Sequence, residues 1–543
     1  MNASEALMEL LLEQGVDLVF GYPGAAVLHI YDALYKYSDR ICHVTTAHEQ
    51  GAAHAADGYA RLTGKTGVVF ATSGPGAANL VTGIAAAYMD SVPLVAITGN
   101  VATNLIGRDS FQEVYIAGIT LPITKHNFVV RSAAELPGVV RAAFRIAQEG
   151  RKGPVLIDIP KDVSAAPCAY DSHAKLPQAL PVSPDIEMLQ RAAQALNQAK
   201  QPVIFFGGGV QAANAGNALR ALCAKGDIPA AHTLMAAGVL RHDYQYNLGQ
   251  AGLFGSRRAN QAIENSDVLL IAGSRLSDRV APGFAEGFAL FAPKAVKIHI
   301  DIDAAELGKN VPADIAIRAD ARAALDNLLP LLEEKTRPAW HAKISAWRGK
   351  EEQSPAGESE LRPYQIMHAM GELAGEDAIY TTDVGQHQMW AAQYLRHVKP
   401  RRFLTSGGLG AMGYGYGAAI GAAVGANGRP VIHITGDGSF HMNMTEACAA
   451  VRYGLPVISV ILNNSALGMV RQWQGVHFGR RYCATEPERH TDYIKLAEGF
   501  GLQGFRCGNI EEFKEIFAKA LQMKTPVWIE CRIDREERVE HGF

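Results

Sequence analysis

Paired cysteines are the plainest absence in this sequence. Seven cysteines are scattered through 543 residues, with no CxxC pair and no metal-ligand spacing. This argues against a disulfide-stapled secreted scaffold and against a zinc ribbon. The cysteines read instead as buried small hydrophobes in a reducing compartment. Long apolar runs are missing too. None reaches membrane-spanning length without a charge or a turn signal, so no transmembrane segment is expected. The opening Met1-Asn2-Ala3-Ser4-Glu5 has no basic region followed by an apolar core, so no signal peptide is expected and a cytoplasmic protein is the default. An excess of either charge is missing as well, with 51 Lys and Arg against 54 Asp and Glu. A net charge of −3 gives no electrostatic case for nucleic acid or an anionic membrane.

What is present describes an ordinary soluble globular protein. Hydrophobic residues make up 48% and charged residues 19%. The chain is too long for one core, and its length suggests about three domains. Helical and strand-like segments alternate throughout, which predicts an α/β fold. Three domains are expected, each a mainly parallel sheet flanked by helices, at 1–165, 185–332 and 360–543. Cys168–Asp185 (rich in Pro, Ala and Ser) and the polar Glu333–Arg362, with a short helix, read as linkers.

The stretch Gly436–Asn464 organises the chain. Val431–Thr435 reads as a buried parallel strand, followed by Gly436-Asp437-Gly438-Ser439. A helix-like run from Met442 to Tyr453 comes next, then the strand Val457–Leu462 and Asn463-Asn464. In a right-handed βαβ unit the two strand ends lie side by side, where open α/β sheets bind ligands. Glycines beside Asp437 let backbone N–H groups approach a diphosphate. The Asp437 carboxylate and the Asn464 amide oxygen are hard ligands suited to Mg²⁺. A lone GDG is usually a surface turn; GDG with Asn-Asn one βαβ unit later is specific.

The first third supplies a second set of strand ends. Ser4–Gln14 reads as a helix capped by Ser4, and Leu18–Phe20 as a strand entering Gly21-Tyr22-Pro23-Gly24-Ala25-Ala26. His43–Thr46 is a strand with Glu49 just past it, opening the small-residue helix His48–Leu62. Val68–Thr72 leads to Ser73-Gly74-Pro75-Gly76, and Leu94–Thr98 to Gly99-Asn100. A lone Glu in a first helical turn is normally a solvated, dipole-favoured residue. Three strand ends converging with Glu49 on one sheet rim make it a candidate site carboxylate.

At these residues the chain resembles thiamine-diphosphate enzymes, and specifically the large catalytic subunits of the acetolactate (acetohydroxyacid) synthase family. The runs that carry the resemblance are His48–Ala52, Ala71–Ala77, Ile106–Glu113, Pro122–His126 and Ile157–Val163, with Tyr380–Trp390 and Ser406–Gly415 later in the chain. The resemblance implies a pyrimidine-binding first domain, a flavin-binding middle domain and a diphosphate-binding last domain. It implies decarboxylation of pyruvate and ligation of the resulting two-carbon carbanion to a second 2-keto acid, pyruvate or 2-ketobutyrate, giving acetolactate or acetohydroxybutyrate in branched-chain amino-acid synthesis. Glu49 would hydrogen-bond the aminopyrimidine ring, favouring the tautomer whose exocyclic nitrogen takes the proton from the thiazolium carbon. Pro23, Thr72, Gly76, Asn79, Gln386, His387, Gly436, Asp437, Gly438, Ser439, Asn464, Leu467, Gly468 and Met469 would hold the cofactor. The carbonyl at Gly410 would receive its amino group and Met412 would wedge between its rings. Asp437, Asn464 and the Ala466 carbonyl would ligate Mg²⁺. Phe111, Gln112 and Lys125 would line the substrate approach, and Trp473 would select the acceptor. In the middle domain, Gly208, Gly209, Thr233, Leu234, Gly273, Arg275, Arg279 and Asp301 match a structural FAD site, with Arg279 also near the second substrate's carboxylate. Sites between subunits imply a homodimer or homotetramer, and a small regulatory subunit is a further possible partner.

Departures from the family pattern cluster around the implied site: Ala25 for Gly, Asn100 for Gln, Leu253-Phe254-Gly255 for Met-His-Gly, Ser277 for Asp, Tyr416-Gly417 for Leu-Pro, and His441 for Gln or Met. His441 reads as a capping or packing residue. The family's proline-rich tail is missing after Glu540-His541-Gly542-Phe543, which puts water exclusion and FAD retention in question. The rival readings are a pyruvate oxidase, another thiamine-diphosphate decarboxylase or carboligase, and a non-catalytic paralogue.

Overall fold

The computed structural model describes residues 1–172, 181–281, 291–347, 361–487 and 489–540. Each domain is built on a six-stranded sheet. The first contains β1 Leu18–Gly21, β2 Cys42–Thr45, β3 Gly67–Ala71, β4 Leu94–Asn100, β5 His126–Val129 and β6 Pro154–Pro160, in the order β2-β1-β3-β4-β6-β5. The second contains β7 Pro202–Phe206, β8 Ala230–His232, β9 Asn247–Gln250, β10 Val268–Ala272, β11 Val296–Asp301 and β12 Ile315–Arg318, in the order β12-β11-β10-β7-β8-β9. The third contains β13 Ile379–Thr382, β14 Phe403–Thr405, β15 Val431–Gly436, β16 Val457–Asn463, β17 Gln503–Cys507 and β18 Val527–Arg532, in the order β14-β13-β15-β16-β18-β17. Central strands such as β4, β6, β7 and β10 are buried along their whole length. They are apolar for most of that length because helices cover both faces. No helix among the described residues is long and apolar enough to cross a membrane.

Packing divides the chain into two compact units. Met1–Ala179, Asp377–Gln388 and Leu404–Arg535 carry the first and third sheets; Leu180–Glu376, Met389–Phe403 and Glu536–Phe543 carry the middle sheet. In the first unit, the helix Glu49–Thr63 lies against the helix Tyr414–Gly425 at backbone distance. A Cβ on Gly421 would stand 1.8 Å from the Ala55 carbonyl oxygen, and one on Gly58 would stand 2.3 Å from that of Ala418. Gly417 meets the Gly51 carbonyl oxygen at 2.8 Å in the same way. The Tyr416-Gly417 departure thus has a packing reason. Gly417 joins this seam, while the buried Tyr416 ring stacks on His433 and its hydroxyl accepts from the Trp528 indole N–H at 3.1 Å.

Several sequence expectations change. The first helix is Ala3–Glu13, capped by Asn2 rather than Ser4. The Asn2 side chain accepts from the Glu5 N–H and Glu5 reaches back to the Asn2 N–H, a full capping box, while the Ser4 hydroxyl donates to the Ser164 carbonyl. The run expected as one helix from Met442 begins earlier, at Asp437, and breaks: Asp437–Asn443, a 3-10 turn Met444–Glu446, then Ala447–Arg452. The short helix expected in the second linker is present, and it packs inward. Pro338–Ala346 is a helix whose buried Trp340 donates its indole N–H to the Pro202 carbonyl at 3.0 Å, so it belongs to the middle unit's core; residues 348–360 lie outside the described residues. The cysteines divide: Cys168, Cys223, Cys507 and Cys531 are buried, but Cys42, Cys448 and Cys483 are exposed, against the expectation of burial.

The seam yields a paired test. Gly421→Ala should cost about 1–3 kcal/mol through overpacking. Gly499→Ala, in an exposed helical position with nothing within 4 Å of the added carbon, should gain about 0.5–1 kcal/mol. Denaturant unfolding of both variants measures this; equal effects would mean the seam is looser than described.

Candidate active site

In an open parallel sheet, the crevice for a ligand opens where chain connections leave in opposite directions. In the first sheet that point lies between β1 and β3, whose following turns carry Pro23 and Thr72–Gly76. Glu49 opens the helix after β2 and is 8% exposed. The Asn79 amide donates to Glu49 Oε2 at 2.9 Å. A Cβ on Gly76 would lie 2.7 Å from Thr72 Cγ2 and 3.0 Å from Glu49 Oε1, so the absence of a side chain leaves a cradle beside the carboxylate. The Thr72 hydroxyl accepts from the Ala26 N–H at 3.2 Å, tying the Pro23 turn to the same rim. Gln112, at φ +59°, rests its backbone on Gly74, which brings the Phe111–Gln112 loop to this rim with Phe111 89% exposed. The fold thus gathers Pro23, Thr72, Gly76, Asn79, Glu49 and Gln112.

The third sheet has its switch point between β13 and β15, followed by Asp383–His387 and Gly436–Ser439. Asp437 begins a helix there, almost fully buried, and its Oδ1 has no hydrogen-bond partner. Burial pushes its carboxyl up to about 6, against the charge of Arg489. Asn464 Oδ1 accepts from the Ala466 N–H at 3.1 Å, and its Nδ2 donates to Gln386 Oε1 at 3.2 Å; Gln386 in turn donates to Gln472 Oε1 at 3.0 Å. Gly468 is bare because a Cβ would strike Gln386 Oε1 at 1.9 Å. A Cβ on Gly438 would meet Leu467 Cδ2 at 2.6 Å and Met412 Cε at 3.9 Å, so Met412 and Leu467 flank the GDG turn. Ser439 donates to the Val384 carbonyl at 2.9 Å, and Gly410, at φ +73°, faces the Val384 side chain. His387 is buried against Gly436, its Nε2 is unpartnered, and burial lowers it to about 4, so it is neutral at pH 7.

A buried carboxylate oxygen without a partner, beside Asn464 with its amide oxygen, offers a set of hard oxygen donors. Such a set fits Mg²⁺ completed by phosphate oxygens better than zinc or a soft metal. No cluster of three or more His, Cys, Asp or Glu suited to a metal exists among the described residues.

Beneath the rim, Asp383 accepts from the Gly415 N–H at 2.7 Å and the Thr435 hydroxyl at 2.6 Å, and pairs with His433 at 3.1 Å. Burial would raise its carboxyl, but the His433 hydrogen bond and charge, with the Thr435 and Gly415 donors, hold it at about 2. That network fixes the strand end from which Gln386 and His387 project.

The middle sheet places Gly207–Gly209 and Gly273–Arg275 at its own switch point, between β7 and β10. Gly209 donates to the Gly273 carbonyl at 3.0 Å, and Thr233 holds a buried hydroxyl without a partner. These features fit a dinucleotide. Leu234 opens a 3-10 turn beside them, and the Asp301 carboxylate accepts from the Asp303 N–H at 2.9 Å.

Of the remaining residues, Lys125 is the one placed elsewhere than expected. Lys125 precedes β5, at the edge of the sheet opposite the Glu49 rim. Its ammonium donates to the Ile146 carbonyl and, at 2.5 Å, to the Glu149 carbonyl, capping the end of the helix Leu136–Gln148. The structure does not bring it to the rim, because a helix terminus attracts the cation. Arg279 is 63% exposed and pairs with Asp278 at 3.7 Å, an ordinary surface pair within this chain. Asn100 is spent in the sheet, donating to Asp158 at 2.5 Å and accepting from the Val101 N–H at 2.8 Å. His441 bonds the Asp437 carbonyl at 2.6 Å and Thr491 Oγ1 at 2.8 Å, a packing role. Trp473 lies half-buried on the helix Gly468–His477 and stacks on His477 with ring centroids 5.0 Å apart.

Sequence reasoning passed over the groups that hold the two rims in place. Asp90 accepts from the Gly407 and Gly408 N–H groups at 3.0 and 2.8 Å, just ahead of Gly410, and from Arg61 at 2.9 Å; Arg61 also binds Asp57 at 2.6 Å. Glu446 is buried completely and binds the turn before Glu49. Each is one charged residue in a helix or turn, with no motif around it to single it out.

The unpartnered Asp437 carboxylate generates a prediction with two signs. A carboxyl whose folded pKa lies above its unfolded value of about 3.8 loses stability as pH rises through that window. Asp437→Asn should therefore leave the cofactor-free protein at pH 7 as stable as the wild type or up to about 2 kcal/mol more so. Affinity for thiamine diphosphate with Mg²⁺ should fall more than about tenfold, as expected on losing a ligand to a hard cation. Thermal unfolding and calorimetric titration read the two effects, and undiminished affinity would remove Asp437 from the metal site.

Comparison with known proteins agrees with this geometry. Residues 1–119 match the family model described as the thiamine pyrophosphate enzyme N-terminal TPP binding domain, 189–328 its central domain, and 383–531 its C-terminal TPP binding domain. The chain is 43% identical over 555 residues to an acetolactate synthase of Mycobacterium bovis, covering 99% of this chain and 89% of that protein. It is 42% identical over 555 residues to a probable acetolactate synthase large subunit of Methanocaldococcus jannaschii (99% and 93% covered), and 42% over 547 residues to the acetolactate synthase large subunit of Porphyra purpurea (98% and 92%). With similarity of this level along nearly the whole chain, and the three domains matched in order, the chain belongs to the thiamine pyrophosphate enzymes, in the family of acetolactate synthase large subunits.

Proposed function

We propose that this protein is an acetolactate synthase: it decarboxylates pyruvate and transfers the two-carbon unit to a second 2-keto acid, pyruvate or 2-ketobutyrate, in branched-chain amino-acid synthesis. The observation that carries the reading is the pairing of two switch points. One holds a buried Glu49 carboxylate beside a glycine cradle, and the other a buried Asp437 whose carboxylate keeps an unpartnered oxygen. Asp437, Asn464 and the Ala466 carbonyl would hold Mg²⁺. The N-terminus of the helix at Asp437 and the bare Gly438 give a diphosphate backbone N–H donors. When bound, thiamine diphosphate supplies the carbon acid and electron sink that decarboxylation and carbon–carbon bond formation need.

The protein's own part is orientation, proton placement and dryness. Glu49, fixed by Asn79, would present its carboxyl group to the aminopyrimidine ring and hold a proton there. Met412 and Leu467 put apolar bulk beside the GDG turn, which excludes water from a site where charge develops. Neutral His387 adds no competing cation. FAD along the middle sheet would be structural. The reading includes a homodimer or homotetramer whose sites take Glu49 from one subunit and Asp437 from another. Support comes from the large apolar side chains left exposed on the rim loops and nearby turns, Phe111 at 89%, Tyr115 at 74% and Leu121 at 69%.

Product analysis tests this. With Mg²⁺, thiamine diphosphate and FAD, pyruvate alone should give acetolactate, and adding 2-ketobutyrate should shift the product to acetohydroxybutyrate. Replacing Trp473 by Leu should reduce that preference about tenfold or more, the scale set by one methylene in an apolar pocket. Carbon dioxide without a five- or six-carbon product would defeat the synthase reading. Stoichiometric bleaching of flavin by pyruvate would point to an oxidase.

A further inference from the structure

The turn that carries Glu49 is gripped from the third sheet's domain. Between β2 and the Glu49 helix the chain presents three backbone N–H groups, of Thr45, Ala47 and His48. All three donate to side chains at the two ends of one short helix, Ala447–Arg452. Ala47 N–H donates to Glu446 Oε2 at 3.0 Å, His48 N–H to Glu446 Oε1 at 3.1 Å, and Thr45 N–H to the Tyr453 hydroxyl at 2.8 Å. Glu446 is 0% exposed, and a Cβ on Gly51 would lie 2.0 Å from its Oε1, so its carboxylate lies flat on the first turn of the helix that Glu49 opens. The 3-10 turn Met444–Glu446, which interrupts the expected helix, is where Glu446 sits.

We propose that Glu446 and Tyr453 are positioning residues for Glu49: together they set where the β2 turn ends and so where the Glu49 carboxyl stands. The inference rests on the reading of Glu49 given above. A bidentate carboxylate on two adjacent N–H groups fixes both position and tilt of a peptide segment, where one neutral acceptor fixes position only. Main-chain displacement of Glu49 by even about 1 Å would cost up to about 100-fold in rate while leaving groups that bind substrate in place. Glu446 touches no ligand in this scheme and acts only through the turn.

The test uses the full chain and the series Glu446→Gln, Glu446→Ala and Tyr453→Phe. Amide hydrogen exchange of the peptide covering Thr45–Gln50, in protein without cofactor, reads the grip directly and is independent of turnover. Exchange should quicken in the order wild type, Gln, Ala, and at Thr45 in Tyr453→Phe. With saturating cofactor and Mg²⁺, kcat should fall in the same order, about 10- to 100-fold for Ala, while KM for pyruvate stays within about twofold. Unprotected exchange in the wild type, or wild-type kcat in Glu446→Ala despite a loosened turn, overturns the inference. If Glu446→Ala does not fold, Tyr453→Phe decides alone, since a loosened turn with unchanged kcat is equally contrary. A wild-type protein that makes no 2-keto-acid product would count against the functional reading, and the exchange data would be unaffected.

Discussion

The close contact between the Glu49–Thr63 and Tyr414–Gly425 helices is the constraint on which the site depends. Glycine and alanine at Gly51, Ala55, Gly58, Gly417, Ala418 and Gly421 let two backbones meet where any larger side chain would part them. That contact makes one body of two sheets whose strands are far apart in sequence. Once they are joined, short side chains can reach across. Asp90 and Arg61 hold the Gly407–Gly408 turn from one direction, and Glu446 and Tyr453 hold the Glu49 turn from the other. The fold's packing thus sets the shape of each rim.

Polar groups buried near the rims divide into two kinds. Asp383, Asp57, Arg61 and Asp90 are saturated with partners, and removing one side of such a network leaves a buried charge alone, typically costing about 3–5 kcal/mol. Asp437 and His387 each keep an atom without a partner, and burial shifts both toward neutrality. The first kind is structure; the second lies where the sheet leaves its switch point, and under the proposed function it is capacity held open for a ligand. Natural sites commonly give up stability in this way.

Much of this was legible in the sequence because it is local. Strands bounded by glycine turns announce a parallel sheet, and Gly436-Asp437-Gly438 with Asn463-Asn464 announces two adjacent strand ends of one βαβ unit, carrying a carboxylate and an amide. The strand readings at Val431–Thr435 and Val457–Leu462 stop one residue short of the observed strands Val431–Gly436 and Val457–Asn463. What stayed hidden is non-local. Lys125 sits inside a run that resembles the family, yet its position before β5 and the free carbonyls of a helix end decide where its charge goes. Glu446 has no motif, and its importance appears only when residues almost 400 apart meet, the Ala47 contact spanning 399. The Tyr416-Gly417 departure looked like damage to the site until the seam gave Gly417 a neighbour.

The central claim is that Glu49 drives proton removal from the bound cofactor. The direct measurement is exchange of the thiazolium C2 proton with deuterium in thiamine diphosphate bound with Mg²⁺, for wild type and Glu49→Gln, after confirming that both bind it. The account predicts exchange in the wild type far faster than in free cofactor, and slowed at least about 100-fold by the substitution, as loss of a positioned acid–base group implies. Equal exchange in the two proteins would contradict it, and would place the proton's acceptor elsewhere in the site.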